Sequence, residues 1–200
     1  MPDLTLSDFV DIASKVSTSK TTNISQVKNR PPYQPAFDYY KPLREHIIEI
    51  HQTGSGKNSF LQPSQITNDP KKWNNYRDII NGYLKFWGRK SIQWFDPPRQ
   101  NWSCNNVNIL LNPELGIIIN NVPHVIKLYM KADKLSKIRV DISLFLMHQS
   151  LPAAFNNQPI IYSILDVRQS NLFIPTAFPQ NILYTLQAET AYINAIWPYV

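Results

Sequence analysis

VNILL (Val107–Leu111), LGIII (Leu115–Ile119) and HVIKLYMK (His124–Lys131) are three apolar runs separated only by Asn-Pro-Glu at 112–114 and Asn-Asn-Val-Pro at 120–123. Their lengths suit strands, and their breaks carry turn residues, so the order predicts a β-meander. In VNILL and LGIII apolar residues fall on both faces, as expected of strands covered on two sides. HVIKLYMK is different. Ile126, Leu128 and Met130 share one face, while Lys127, Tyr129 and Lys131 project from the other, because side chains alternate along a strand. The meander therefore carries a lysine-bearing polar face.

Outward from this centre, Leu135, Ile138, Ile142, Phe145, Leu146 and Gln149 trace one side of a helix ending near Leu151, with Lys134, Lys137 and Asp141 off the stripe. PIIYSILDVR (Pro159–Arg168) reads as a returning strand, paired with NLFIP through a turn at Gln169–Ser170. A last helix is expected from about Asn181 to Trp197. On the N-terminal side, Asp69 caps a helix with Pro70 in its first position and Gly88 after its end. Its stripe is Trp73, Tyr76, Ile80, Tyr83, Leu84 and Trp87. A short strand Ser91–Phe95 follows and closes at DPPRQ, where paired prolines forbid a central strand. Lys41 to Gly54 is another helix, with Leu43, Ile47 and Ile50 as its stripe. Ser7 caps a short helix to Val16 carrying Phe9, Ile12 and Ala13 on one face. STSKTTNISQVKNRPPYQP, from Ser17 to Pro35, has no periodicity and reads as a linker or basic arm. The expectation is an α+β fold, with an N-terminal helix and basic arm over residues 1–35 and one α+β domain over 36–200.

With 200 residues and 43% hydrophobic content, the chain can bury a sizeable core. A net charge of +6 permits a polyanionic partner. Cys104 is the only cysteine, which excludes an intrachain disulfide and a thiolate metal cluster. The start MPDLTLSDFVD has no apolar run of a secretory signal. No stretch approaches the roughly 18 apolar residues of a membrane span. A cytoplasmic protein with no membrane partner is the expectation.

Local catalytic signatures are missing: there is no GxSxG, HExxH, CxxC or GxGxxG. HQTGSGKNS lacks the first glycine and the Ser or Thr that a phosphate loop requires. His46 and His51 are five apart, which does not put two ligands on one helical face, and His124 and His148 lie on other elements, so no zinc set is expected. What remains is the polar face of the meander. Pro113-Glu114 opens LGIII, and Lys127 lies on the next strand; Glu114 also suits a turn residue after Asn-Pro.

Helix, meander, helix and returning strand, with these residues, resemble the PD-(D/E)xK nuclease-like fold over roughly residues 70 to 170. In that family an acid after proline and an acid-x-Lys on the next strand bind divalent metal and activate water. The resemblance implies Glu114 and Lys127 as catalytic residues, with Mg²⁺ as the cofactor of a nuclease. Glu49 would stand for the family's helical acid. The position two before Lys127 is Val125, which supplies no oxygen ligand. The resemblance thus implies a degenerate core or a migrated acid at Asp133 or Asp166, with Glu114 and Asp166 as the metal pair.

Lys127, Lys131, Lys134, Lys137 and Arg139 span a strand end, a turn and a helix start, so some converge on one surface. Clusters of this kind recognise phosphate, with Tyr129 or Trp94 available for stacking. The ligand-binding set expected is Lys131, Lys134, Arg139, Tyr129 and Arg99. One reading is therefore a nucleic-acid or phosphate-ligand binding protein. The other is a protein-interaction or accessory module presenting Arg99 and Trp102 on DPPRQNW, since Trp and Arg concentrate at hot spots. Glu45, Glu49 and Asp166 would form an acid–base site only if the fold brought them together.

Overall fold

Thr5, rather than Ser7, starts the first helix. The structure, a computed structural model, describes residues 1–32, 34 and 38–200. Strand β1 (Asp3–Thr5) runs into helix α1 (Leu6–Ala13), where the Thr5 hydroxyl and the Asp8 carboxylate close a reciprocal capping box. The expected linker is helical: α2 spans Ser17–Lys28. Its one buried residue, Ile24, gives no periodic stripe to read, and tertiary contacts hold it. Lys20 pairs with Glu189 at 2.6 Å, Lys28 donates to the Trp197 carbonyl, and Arg30 pairs with Asp8. These cations are committed to the fold. The end of the expected arm, at Tyr33 and Pro35, lies outside the described residues.

Helix α3 (Lys41–Gln52) is followed by the single turn α4 (Pro63–Ile66) and then α5 (Pro70–Trp87). Asp69 caps α5 and Gly88, at φ +51, ends it, as the sequence requires. Trp73 and Leu84 of its expected stripe are only half-buried, while Ile79 and Phe86 are buried. Strands β2 (Ile92–Phe95), β3 (Gln100–Cys104), β4 (Val107–Leu111), β5 (Leu115–Ile119) and β6 (Val122–Tyr129) come next. Then come α6 (Lys137–Ser150), a two-strand ribbon of β7 (Ala154–Phe155) and β8 (Gln158–Pro159), β9 (Ile161–Asp166), β10 (Asn171–Phe173) and α7 (Ile182–Ile196). The fold is α+β.

The meander divides between two sheets. One has the order β10-β9-β6-β5-β2, in which β6 and β9 are parallel and every other pair antiparallel. VNILL is not part of it: β4 pairs with β3 and, in parallel, with β1. Its burial alternates, so one of its faces is covered rather than two. The N-terminal segment is thus stitched into a sheet. Leu4, Phe9 and Ile12 share one core cluster with Ile109 and Ile142.

Three hairpins close on Asn-Asn. Residues 105–106, 120–121 and 156–157 each form a two-residue loop with both φ positive, between 47° and 70°. This is the conformation of the tight hairpin turn that matches strand twist, and asparagine is among the few residues that tolerate it. Trp102, expected exposed, is half-buried on β3 with its ring 6.5 Å from that of Phe9. No helix among the described residues is long and apolar enough to cross a membrane.

Candidate functional site

The alternation read from β6 holds. Ile126, Leu128 and Met130 enter the core formed with α3 and α5, while Val125 enters the opposite core with α1 and α6. Lys127 and Tyr129 share the Val125 face and are half-buried there. The parallel register sets Lys127 beside Ile164 and Tyr129 beside Asp166. On this face, at the carboxyl end of β6, α1 and α6 leave a small cleft of about 50 Å³, lined by Asp11, Lys127, Tyr129, Lys131, Arg139 and Ser143 among others.

Glu114 and Lys127 meet as expected. The Lys127 Nζ lies 2.7 Å from Glu114 Oε1, and the two side chains are only 11% and 12% exposed respectively. The other oxygen, Oε2, accepts the Leu128 N–H at 2.8 Å. That N–H faces β5 where β5 has run out at Pro113, so the carboxylate stands in for a missing ladder acceptor. Lys127 also donates to the Asn112 carbonyl at 3.3 Å. Together they fasten the turn at 112–114 to β6.

A second carboxylate arrives from an unexpected place. Asp11 of α1 accepts from Lys131 Nζ and from Arg139 Nη1, each at 2.6 Å. Three cleft cations therefore meet two carboxylates. The Tyr129 hydroxyl donates to the Asp133 carbonyl, and burial raises its pKa above the ordinary value. Asp11 was not singled out in the sequence. It lies off the apolar stripe of α1, and nothing local marks what that face of the helix meets.

Other expected members stand apart. Lys134 is exposed and lines, with Lys137, a neighbouring groove between the start of α6 and the chain after β10. Arg99, on the connection between β2 and β3, is exposed and does not line the cleft. Glu49 is exposed beside His46 on α3, so it is not the helical acid of this site. Glu45 is on the same helix, paired with Lys41, while Asp166 is on β9; the three do not assemble an acid–base set.

Nor does a divalent-cation site form from the expected pair. Glu114 has both oxygens bonded, and the Asp166 Oδ1 accepts the Gln169 N–H at 3.2 Å. Val125, two before Lys127, is fully buried and has no side-chain oxygen. Among the described residues no group of three His, Cys, Asp or Glu side chains is placed to hold a metal ion. The residues do not fit Mg²⁺, and Glu114 and Asp166 do not make the ligand pair that the resemblance implies. Comparison of the chain with protein-family models, curated proteins and solved structures finds no match.

Proposed function

We propose that this protein binds a phosphate-bearing ligand, nucleic acid foremost, on a nuclease-like core that does not hydrolyse it. The observation that carries the reading is the convergence of Lys127, Lys131 and Arg139, with Tyr129, on one cleft at the carboxyl end of β6. Phosphate oxygens take charge-assisted hydrogen bonds from such groups, and Arg139 retains donors beyond the one committed to Asp11. A helix, then β5 and β6 with Pro113-Glu114 and Lys127 adjacent, then α6 and the parallel β9, supports the nuclease-like resemblance. Val125, which supplies no oxygen ligand where the family has an acid, argues for binding without metal-assisted cleavage.

Fluorescence anisotropy with a labelled duplex across a salt series tests the reading. Affinity should fall steeply with salt, and Arg139→Ala and Lys131→Ala should each weaken binding and flatten that slope by about one ion. Binding indifferent to salt, or unchanged in both variants, would sink it. A Mg²⁺-dependent cleavage abolished by Glu114→Ala would overturn the non-hydrolytic part.

A second reading, a protein-interaction module, draws on α7. Leu183, Tyr184 and Tyr192 are exposed on a helix whose only charge is Glu189, and Tyr199 beyond it is exposed as well. A stoichiometric protein partner recovered without nucleic acid, and lost in Tyr184→Glu, would favour it.

A further inference from the structure

The opposite side of the same strand end holds a second concavity. Lys131 lines the cleft already described; its neighbour Ala132 lines a cavity of about 490 Å³ between α5 and the β9–β10 turn. Asp78, Asn81, Lys85, Arg168 and Ser170 form its polar wall.

Its shape depends on close backbone contact. A Cβ at Gly82 would lie 2.0 Å from the Val167 carbonyl oxygen, so only glycine lets α5 approach the turn this closely. Ser170 holds φ at 55°, and its hydroxyl donates to the Gly82 carbonyl at 2.7 Å. Arg168 Nε donates to the Met130 carbonyl at 3.1 Å, which fixes the guanidinium in the wall.

That guanidinium is poorly compensated. Its side chain is 13% exposed. Its carboxylate contact, Asp78 Oδ2, is 3.6 Å from Nη1, and Asp78 itself is 67% exposed. Nη2 is buried without a hydrogen-bond partner among the described residues. A charge withdrawn from water is costly unless paired, and Lys85 adds a second cation to the same wall. We propose that this pocket is an oxyanion site taking a phosphate group, held at the cavity mouth by Arg168 and Lys85. A compact anion bearing more than one charge offsets both cations at once, and a fixed guanidinium favours an oxyanion with several acceptor oxygens. The site is separate from the β6 cleft and stands whether or not that cleft binds nucleic acid.

Titrating the full chain with inorganic phosphate at constant ionic strength, followed by amide resonances, tests the proposal. The amides of Asn81, Gln169 and Ser170 should shift with half-saturation at about 1 to 10 mM. Lys85→Ala and Arg168→Lys should each raise that concentration by about tenfold, whereas Lys131→Ala should leave it unchanged. Lys85 is exposed, so its variant keeps the fold and guards against a folding artefact at Arg168. A short single-stranded oligonucleotide identifies the source of the phosphate. The same amides shifting at about tenfold lower concentration would assign it to a nucleic-acid backbone, and a response to phosphate alone to the free anion. No shift of these amides with either probe overturns the proposal, as do shifts of equal size in wild type and both variants.

Discussion

On the face of the five-stranded sheet covered by α3 and α5, the core is apolar and aromatic, and the histidine and tyrosine buried within it are neutral, with the Arg168 charge left to its edge. His51 and Tyr83 are joined by a 2.6 Å hydrogen bond, packed against Trp87 and Phe60. On the face covered by α1 and α6, the same strands carry charge. Glu114 and Lys127 are paired near the end of β6, and Asp11 holds Lys131 and Arg139 beside them. One backbone thus supports two solutions to burying polar groups. The first keeps them uncharged, and the second keeps them charged and matched. Their responses to mutation and to pH should therefore differ in kind.

The largest effect expected is on the charged face. Glu114→Ala removes the partner of a nearly buried ammonium and the acceptor of the Leu128 N–H, and should cost about 4 kcal/mol in chemical denaturation. Replacing the pair together, Glu114→Leu with Lys127→Met, should recover much of that, because an apolar pair leaves no charge stranded. A single variant that unfolds at the wild-type denaturant concentration would show that the pair is not a buried ion pair in energetic terms.

Acid tests the neutral face. Burial pushes the His51 imidazole down from 6.5 to about 4. As pH falls between those values the unfolded chain takes up the proton and the folded chain does not, so stability is present above 6.5 and drains away toward 4. The loss from this residue should be about 3 kcal/mol. His51→Gln leaves Tyr83 a hydrogen-bonding partner and removes the titration, so its stability curve should be flatter over that window. An equally steep curve in the variant would place the acid sensitivity elsewhere; His46 and His124, whose pKa values burial also lowers, would be next to replace.

The two faces also differ in how readable they were. Helix α5 announces itself through Asp69, Pro70, its aromatic stripe and Gly88, all local signals. The face alternation of β6 is equally local, and it placed Lys127 and Tyr129 on the face opposite Ile126 and Leu128. What failed was long-range. An apolar run says that VNILL is covered, not by which sheet, and β4 went to β1 and β3 instead of β5. Repeated Asn-Asn pairs were a usable sign of three tight hairpins, and the pair at 105–106 would have revealed β3 before VNILL. Asp11 meets Lys131 across 120 residues of chain, and α2 is held by Glu189 and the Trp197 carbonyl; no local pattern encodes either.

A smaller effect sharpens the charged face internally. Lys131→Ala leaves Asp11 still bound to Arg139, and its own side chain is 44% exposed, so it should lower stability by about 1 kcal/mol or less. If it also weakens binding of a duplex, the same lysine serves ligand more than fold. Thermal denaturation alongside the anisotropy series separates the two: a large loss of affinity with a nearly unchanged midpoint is the expected outcome.

The smallest effect belongs to Lys137, one turn along the surface from that network. Its pair with Asp141 at 2.5 Å is as short as any in the cleft, yet Lys137 is 80% exposed. Distance alone would rank it with Lys131 and Asp11. Solvent screening and side-chain entropy argue otherwise, and an exposed helical i,i+4 pair contributes only about 0.3 kcal/mol. Lys137→Ala should therefore leave denaturation within about 0.5 kcal/mol of wild type. A loss as large as that of Lys131→Ala would mean that proximity, rather than burial, sets the strength of the ion pairs on this face. The ordering from Glu114 to Lys137 would then have to be redrawn.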